Sequence, residues 1–220
     1  MEFLPLPIKD LNYTKREKNR ISKSIQELQN WNKFWNKFWK ENILAIDLGA
    51  NIGLYSLHYL MMGMNVHAFE PSLNNKLKLL KLCDKFKNFH LHEYAISNEN
   101  FKDYLLFNDC SDYTKNLQEI TFVKFDEYIK KNNLIPDFIK MDIEGFEYKA
   151  ILEMENTITK ICPFWQIEIH PPFQKNIFNI FFDYYFVYND KFEIIKNIEI
   201  KKNTQFFFIP KGKKNFLKLI

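Results

Sequence analysis

Apolar positions in this chain switch repeatedly between the strand period and the helix period. Residues 43–48 form a short apolar run ending in Asp47-Leu48-Gly49, which predicts a buried strand. A helix is predicted over 53–62, closed by Gly63, and a second strand over 65–69. Pro71-Ser72 offers an N-cap, and Leu73, Leu77 and Leu80 follow at helical spacing, with Lys76, Lys78, Lys81 and Lys85 on the solvated face. Residues 89–96 read as a third strand, and 103–107 and 120–125 as short strand-and-turn excursions. A strand over 137–141 leads into a helix over 146–158. The next strand, 161–169, is stopped by Pro171-Pro172; an apolar helix over 173–185 follows, and 191–198 with 204–209 read as a closing antiparallel pair. Strands and helices alternating every 20–30 residues or so predict a parallel α/β sheet with right-handed crossovers. There is no internal repeat of solenoid length.

The first 42 residues have a different character. Lys15, Arg16, Lys18, Arg20 and Lys23 make a basic stretch, and Trp31, Phe34, Trp35, Phe38 and Trp39 recur at steps that place them on one helix face. The expected organisation is an N-terminal helical extension, 1–42, and one domain over 43–220. A helix packed on that domain is the favoured reading. A lid, an oligomer contact through Trp31, Trp35 and Trp39, or weak contact with a membrane surface are the alternatives.

Composition narrows the field. At 220 residues, 46% hydrophobic and 26% charged, the chain suits one large globular domain. No run of 18 apolar residues occurs, so no spanning helix is expected, and MEFLPLPIKD does not read as a secretory signal. Cys83, Cys110 and Cys162 are odd in number and lack CxxC spacing, which disfavours a disulfide framework or a zinc cluster and fits a reducing, cytoplasmic setting. A net charge of +4 does not imply nucleic acid. Glycine is scarce, only five residues, yet Gly49, Gly53 and Gly145 all fall in the most motif-like segments.

The first such segment, Asp47-Leu48-Gly49-Ala50-Asn51-Ile52-Gly53, joins the first strand to its helix, where open α/β sheets bind ligands. The second strand ends in Phe69-Glu70-Pro71, placing a carboxylate where two ribose hydroxyls can be met. Asn51 stands where a dinucleotide loop needs its second glycine, which argues against NAD, and no GxxxxGK[ST] for ATP is present. S-adenosylmethionine has a ribose but no pyrophosphate, and Asp47 can meet its amino-acid end. The second segment, Lys140-Met141-Asp142-Ile143-Glu144-Gly145, sets Asp142 and Glu144 at the carboxyl rim, facing the cofactor's reactive end. Period two in Trp165-Gln166-Ile167-Glu168-Ile169-His170 puts Gln166, Glu168 and His170 on one strand face, polar where a parallel sheet is normally apolar.

AIDLGANIGLYS, HAFEPS, EYAIS, VKFDEYI, FIKMDIEGFEYKAIL and WQIEIHPP together resemble the FkbM-type S-adenosylmethionine-dependent O-methyltransferases over residues 43 to about 172. The resemblance implies a class I methyltransferase fold, a Rossmann-like seven-stranded α/β sheet with a reversed last strand and helices on both faces. It implies that Asp47, Gly49, Asn51 and Gly53 line the methionine end, that Glu70 binds the ribose, and that Ala95, Ile96 and Ser97 lie near the adenine. Asp142, Glu144 and His170 would face a hydroxyl acceptor on a small molecule or glycan. Either His170 or Asp142 is then the expected base, with Glu168 orienting His170. A divalent ion on Asp142, Glu168 and His170 is the less favoured alternative, as are an RNA or protein acceptor and a non-catalytic binding module.

Overall fold

The structure, a computed structural model, describes residues 21–22, 42–108, 115–172, 174–189, 191, 193–195 and 204–212. Strand β1 (Leu44–Leu48) is followed by helix α1 (Leu54–Met61), β2 (Asn65–Phe69), α2 (Leu73–Cys83) and β3 (Phe89–His92). Then come β4 (Ala95–Ser97), β5 (Phe101–Asn108), β6 (Lys115–Lys124), α3 (Phe125–Lys131), β7 (Phe138–Met141) and α4 (Glu147–Ile151). A π-helical turn (Thr157–Ile161), β8 (Phe164–Ile169), α5 (Gln174–Phe181), β9 (Tyr185–Tyr188) and β10 (Thr204–Pro210) complete the order.

Seven strands form one sheet in the order β3-β2-β1-β7-β8-β10-β9. The β3, β2, β1, β7 and β8 neighbours pair in parallel, and β10, the last strand among the described residues, runs antiparallel to both β8 and β9. The reversal from β2 to β7 on either side of β1 opens the crevice at the carboxyl ends of β1 and β7, where the two motif segments lie. Strand β1 shows why its sequence suits the centre. Ala45 packs into a core layer with Leu57, Tyr59 and Leu79, whereas Ile46 and Leu48 point to the opposite layer with Met141, Trp165 and Phe178. Both faces are covered, so the run reads apolar throughout. Asp47 shares the Ala45 face, which makes it a buried charge in an apolar layer.

Several expected boundaries change. The single strand expected over 89–96 is two strands, β3 and β4, in different sheets. The excursions over 103–107 and 120–125 are one long hairpin, β5–β6, which pairs with β4 in a three-stranded sheet of its own. Helix α3 begins where the second excursion was expected to end. The helix expected over 146–158 breaks, because Asp126 of α3 accepts the backbone N–H groups of Asn156 (2.7 Å) and Thr157 (3.2 Å) and starts the π-helical turn afresh. The closing antiparallel pair is β9 with β10; in the segment expected as its first strand, Ile194 makes one isolated bridge to Tyr188 and 196–200 lie outside the described residues. The expected N-terminal extension also lies outside them, except for Ile21, Ser22 and Asn42; Ile21 is helical and buried in the same core layer as Ile43 and Leu57.

Candidate active site

The turn after β1 is shaped by close approach. Gly49 has φ 76°, and a Cβ there would stand 1.9 Å from the carbonyl oxygen of Asp142. No side chain fits, so glycine lets the end of β1 press against the end of β7. The N–H groups of Gly49 and Ala50 both donate to the Phe69 carbonyl, at 3.0 Å each, tying the turn to β2. Asn51 adopts φ 53°, a left-handed conformation that asparagine tolerates, and its N–H donates to Glu70 Oε2 at 2.7 Å. Gly53 serves helix packing: a Cβ there would meet the Leu79 side chain of α2 at 2.4 Å.

A cavity of about 500 Å³ opens beside this turn. Gly49, Asn51 and Glu70 line one side of it, Tyr94, Ala95 and Ile96 another, and Asp142 and Glu144 the end nearest β7. Glu70 is buried, and its Oε1 accepts the Ser72 N–H (2.8 Å) and Asn75 Nδ2 (3.3 Å). Burial pushes its carboxyl up, against the opposing pull of these bonds and that from Asn51.

Three expected cofactor contacts, Asp47, Gly53 and Ser97, are absent from the wall. Asp47 is fully buried beneath the turn, where its Oδ2 accepts Ser56 Oγ at 2.6 Å and its Oδ1 lies 3.2 Å from Lys140 Nζ. The ammonium of Lys140 also donates to the Gly49 carbonyl at 3.0 Å. Burial opposes the Lys140 charge, but Asp47 and Asp142 outweigh it and hold the lysine above its ordinary value. Asp47 is therefore a strut under the loop, because its charge is already matched. Ser97 is likewise buried off the wall, its Oγ donating to Asn98 Oδ1 at 3.2 Å. Gly53 supports the turn from behind.

At the other end, Asp142 presents a carboxylate that makes no hydrogen bond among the described residues. Burial, reinforced by Glu168 and Glu144 and opposed by Lys140 and His170, pushes it up to about 6. His170 is held by a residue the sequence reading missed. Its Nδ1–H donates to Oε1 of the buried Glu147 at 3.1 Å, while its Nε2 lies 3.9 Å from Glu144. The hydrogen bond to Glu147 pushes His170 up to about 9, against burial and with help from Asp142 and Glu168. Glu168, expected to orient His170, instead accepts Gln205 Nε2 at 3.4 Å. That corrects the expected arrangement: β10 lies beside β8, and Gln205 pairs in register with Glu168.

The same geometry bears on the divalent ion. Asp142, Glu147 and His170 bring one donor atom each within 4.8 Å. Oε1 of Glu147, however, already accepts the N–H groups of Ile143 (3.0 Å) and Gly145 (3.1 Å) as well as His170. Two members of the set, Glu147 and His170, are thus paired with each other, and the expected ligand Glu168 accepts from Gln205.

Glu147 was legible in principle: it follows Gly145 by two residues, and Glu144 and Gly145 both take positive φ (55° and 101°), which curls the loop so that its N–H groups converge on that carboxylate. The apolar wall was missed too. Leu105, Leu106, Phe107 and Phe122 of the hairpin and Phe146 close one side of the cavity, with Phe122 stacked on Phe101 at 4.3 Å.

A seven-stranded sheet of this order, with its reversed strand β10 and a glycine turn after β1, is the class I methyltransferase fold. The methyltransferase FkbM domain matches residues 47–192, more than half of the chain, and the protein belongs to that family of S-adenosylmethionine-dependent methyltransferases. The crystal structure of methyltransferase FkbM from Methylobacillus flagellatus KT superposes with a TM-score of 0.54 at 19% identity, covering 76% of this chain and 43% of that one. The chain thus spans under half the length of that relative. A fibrillarin/Nop5p complex matches with a TM-score of 0.50 at 12% identity, covering 78% of this chain and 74% of the other. No curated protein matches the sequence. No helix among the described residues is long and apolar enough to cross a membrane.

Proposed function

We propose that the protein transfers a methyl group from S-adenosylmethionine to a hydroxyl oxygen of a small molecule or glycan, with Asp142 as the proton acceptor. The observation that carries this reading is the Asp142 carboxylate, which lies on the cavity wall without a hydrogen bond among the described residues and is pushed up to about 6. A neutral amine can attack a methyl donor before losing a proton, whereas a hydroxyl gains from a base poised near neutral pH. Asp142 fits that need. His170, held as a cation by Glu147, does not.

The wall residues suit the cofactor. Glu70 is fixed on the wall by three N–H donors and has lone pairs to spare for ribose hydroxyls. Ala95 and Ile96 beside Tyr94 offer an apolar bed for the adenine, and Gly49 and Asn51 offer the turn for the methionine end. When bound, the cofactor supplies a methyl group on a positively charged sulfur, and displacement there leaves a neutral thioether. The chain's task is to align the acceptor oxygen and remove its proton to an Asp142 oxygen.

Thermal unfolding with S-adenosylmethionine at about 100 times its Kd tests the cofactor half. Linkage gives about 2.7 kcal/mol, a rise of roughly 5–10 °C. The rise is expected to vanish in Glu70→Ala, and its absence in the native protein would overturn the reading. Asp142→Asn is expected to keep the rise and lose methyl transfer from labelled cofactor to hydroxylated acceptors; a variant that still transfers removes Asp142 from the role.

A further inference from the structure

We propose that Glu147 is a positioning residue, holding His170 as a fixed cation whose charge keeps Asp142 ready to accept a proton. This rests on the reading of Asp142 as the base. The geometry that points to it is a chain of three side chains brought together from separate stretches: Glu147 opens α4, His170 directly follows β8, and Asp142 directly follows β7. The first contact is a direct hydrogen bond of 3.1 Å, and the donor atoms of all three lie within 4.8 Å of one another.

Glu147 is built to stay ionised. It is 1% exposed, and a buried carboxylate is stable only when its lone pairs are taken. Here the Ile143 and Gly145 N–H groups and the His170 ring supply three donors to Oε1. Burial works against its charge, but His170 and the Gly145 N–H hold the carboxyl below its usual value. A buried anion so fixed makes the proton on His170 difficult to remove.

The surroundings of Asp142 show what that cation does. Lys140 from β7 and His170 just after β8 favour the ionised form, while Glu168 from β8 and Glu144 from its own loop oppose it, and burial opposes it most. Lys140 is committed to Asp47 and the Gly49 carbonyl. His170 is the cation facing Asp142 that is not tied to the glycine turn. Around His170 itself stand Glu147, Glu144, Asp142 and Glu168. Losing the His170 charge would leave Lys140 to face Glu168 and Glu144 around Asp142, which would then hold its proton to higher pH, by about one unit at the low end of what a nearby opposite charge supplies.

The test reads titrations and needs no acceptor. The chain has five histidines, so the His170 ring resonance is assigned by its loss in His170→Gln, and Asp142 by its loss in Asp142→Asn using protein labelled at aspartate Cγ. In the native protein His170 is expected to titrate above pH 8. In Glu147→Gln, whose side-chain oxygen can still accept the Ile143 and Gly145 N–H groups, it is expected to titrate at least one unit lower. Asp142 is expected to titrate about one unit higher in both Glu147→Gln and His170→Gln. Native His170 titrating near 6.5, or an Asp142 midpoint unmoved in His170→Gln, would overturn the proposal. S-adenosylmethionine affinity is measured on native protein and Glu147→Gln, and in that variant it is expected to stay within about threefold of native. Native protein that binds cofactor but shows an unmoved Asp142 midpoint defeats the positioning role alone, whereas native protein that fails to bind defeats the methyltransferase mechanism.

Discussion

Replacing Lys140 by methionine isolates the part of the site that the sequence motif disguised. In the native protein the Asp47 carboxylate is fully buried and is neutralised by Lys140 at 3.2 Å, with Ser56 Oγ donating at 2.6 Å. Methionine fills a similar volume but removes the charge, leaving an anion in an apolar layer with one neutral hydrogen bond. Breaking a buried pair from one side typically costs about 3–5 kcal/mol. Loss of the Lys140 bond to the Gly49 carbonyl acts in the same direction, because it loosens the turn that lines the cavity. At roughly 2–4 °C per kcal/mol for a protein of this size, the melting temperature is expected to fall by about 10 °C. The double variant Asp47→Asn with Lys140→Met removes both charges while its amide oxygen still accepts Ser56. It is expected to recover at least about 2 kcal/mol of the single variant's loss, since replacing both partners spares the uncompensated charge. Equilibrium urea unfolding of native protein, both single variants and the double variant gives the coupling directly. A Lys140→Met loss below about 1 kcal/mol, or a double variant no better than the single, would refute the reading of Asp47 as a matched strut.

Other consequences follow from the turns and the histidines. Gly49→Ala is expected to cost more than about 2 kcal/mol and to abolish cofactor-induced stabilisation, because its Cβ meets backbone at 1.9 Å as well as adopting φ 76°. Gly145→Ala, at φ 101° but with no atom within 4 Å, pays strain alone and is expected to cost only about 1–2 kcal/mol; urea midpoints of the two compare them. Stability is also expected to peak near neutral pH. His58, His67 and His92 are held down to about 4, by burial and, for the latter two, by neighbouring histidines, so the unfolded chain takes up protons first and stability is lost as pH falls from about 6.5 toward 4. His170, held up to about 9, contributes stability that is present below about 6.5 and lost as pH rises through 9. Melting temperatures across pH 4–10 check both limbs, and a His67→Gln variant is expected to flatten the acid one.

The central sheet was legible because its strands are short apolar runs punctuated by the few glycines the chain uses. β2 has the expected bounds, and Gly49, Asn51, Glu70, Ala95, Ile96, Asp142 and Glu144 all reach the cavity wall. The failures share one cause: they depend on which partner comes close across the fold. Nothing in the periodicity of Asp47 says that a lysine 93 positions later will neutralise it. Glu168 and His170 do share a strand face, but Gln205 from the reversed strand claims the first and Glu147 from a neighbouring helix claims the second. The hairpin was read as fragments because Tyr104, Leu106 and Leu117 are exposed and blur the alternation, while Phe122 packs inward against the cavity.

The charges at the carboxyl rim follow a division of labour. Among the described residues, Asp47, Asp142, Glu144, Glu147 and Glu168 gather around two cations, Lys140 and His170, and each cation is paired with a buried carboxylate. That pairing leaves Asp142 and Glu144 on the cavity wall, together with Glu70 and a single lysine, Lys78, so carboxylates outnumber cations there. A negative rim of this kind favours a ligand bearing positive charge over the same ligand after the charge is lost. For a methyltransferase the two are the sulfonium donor and the neutral thioether that remains. The buried pairs thus fix the loops, and under the proposed function the carboxylates left over would favour the form of the cofactor that still carries its methyl group.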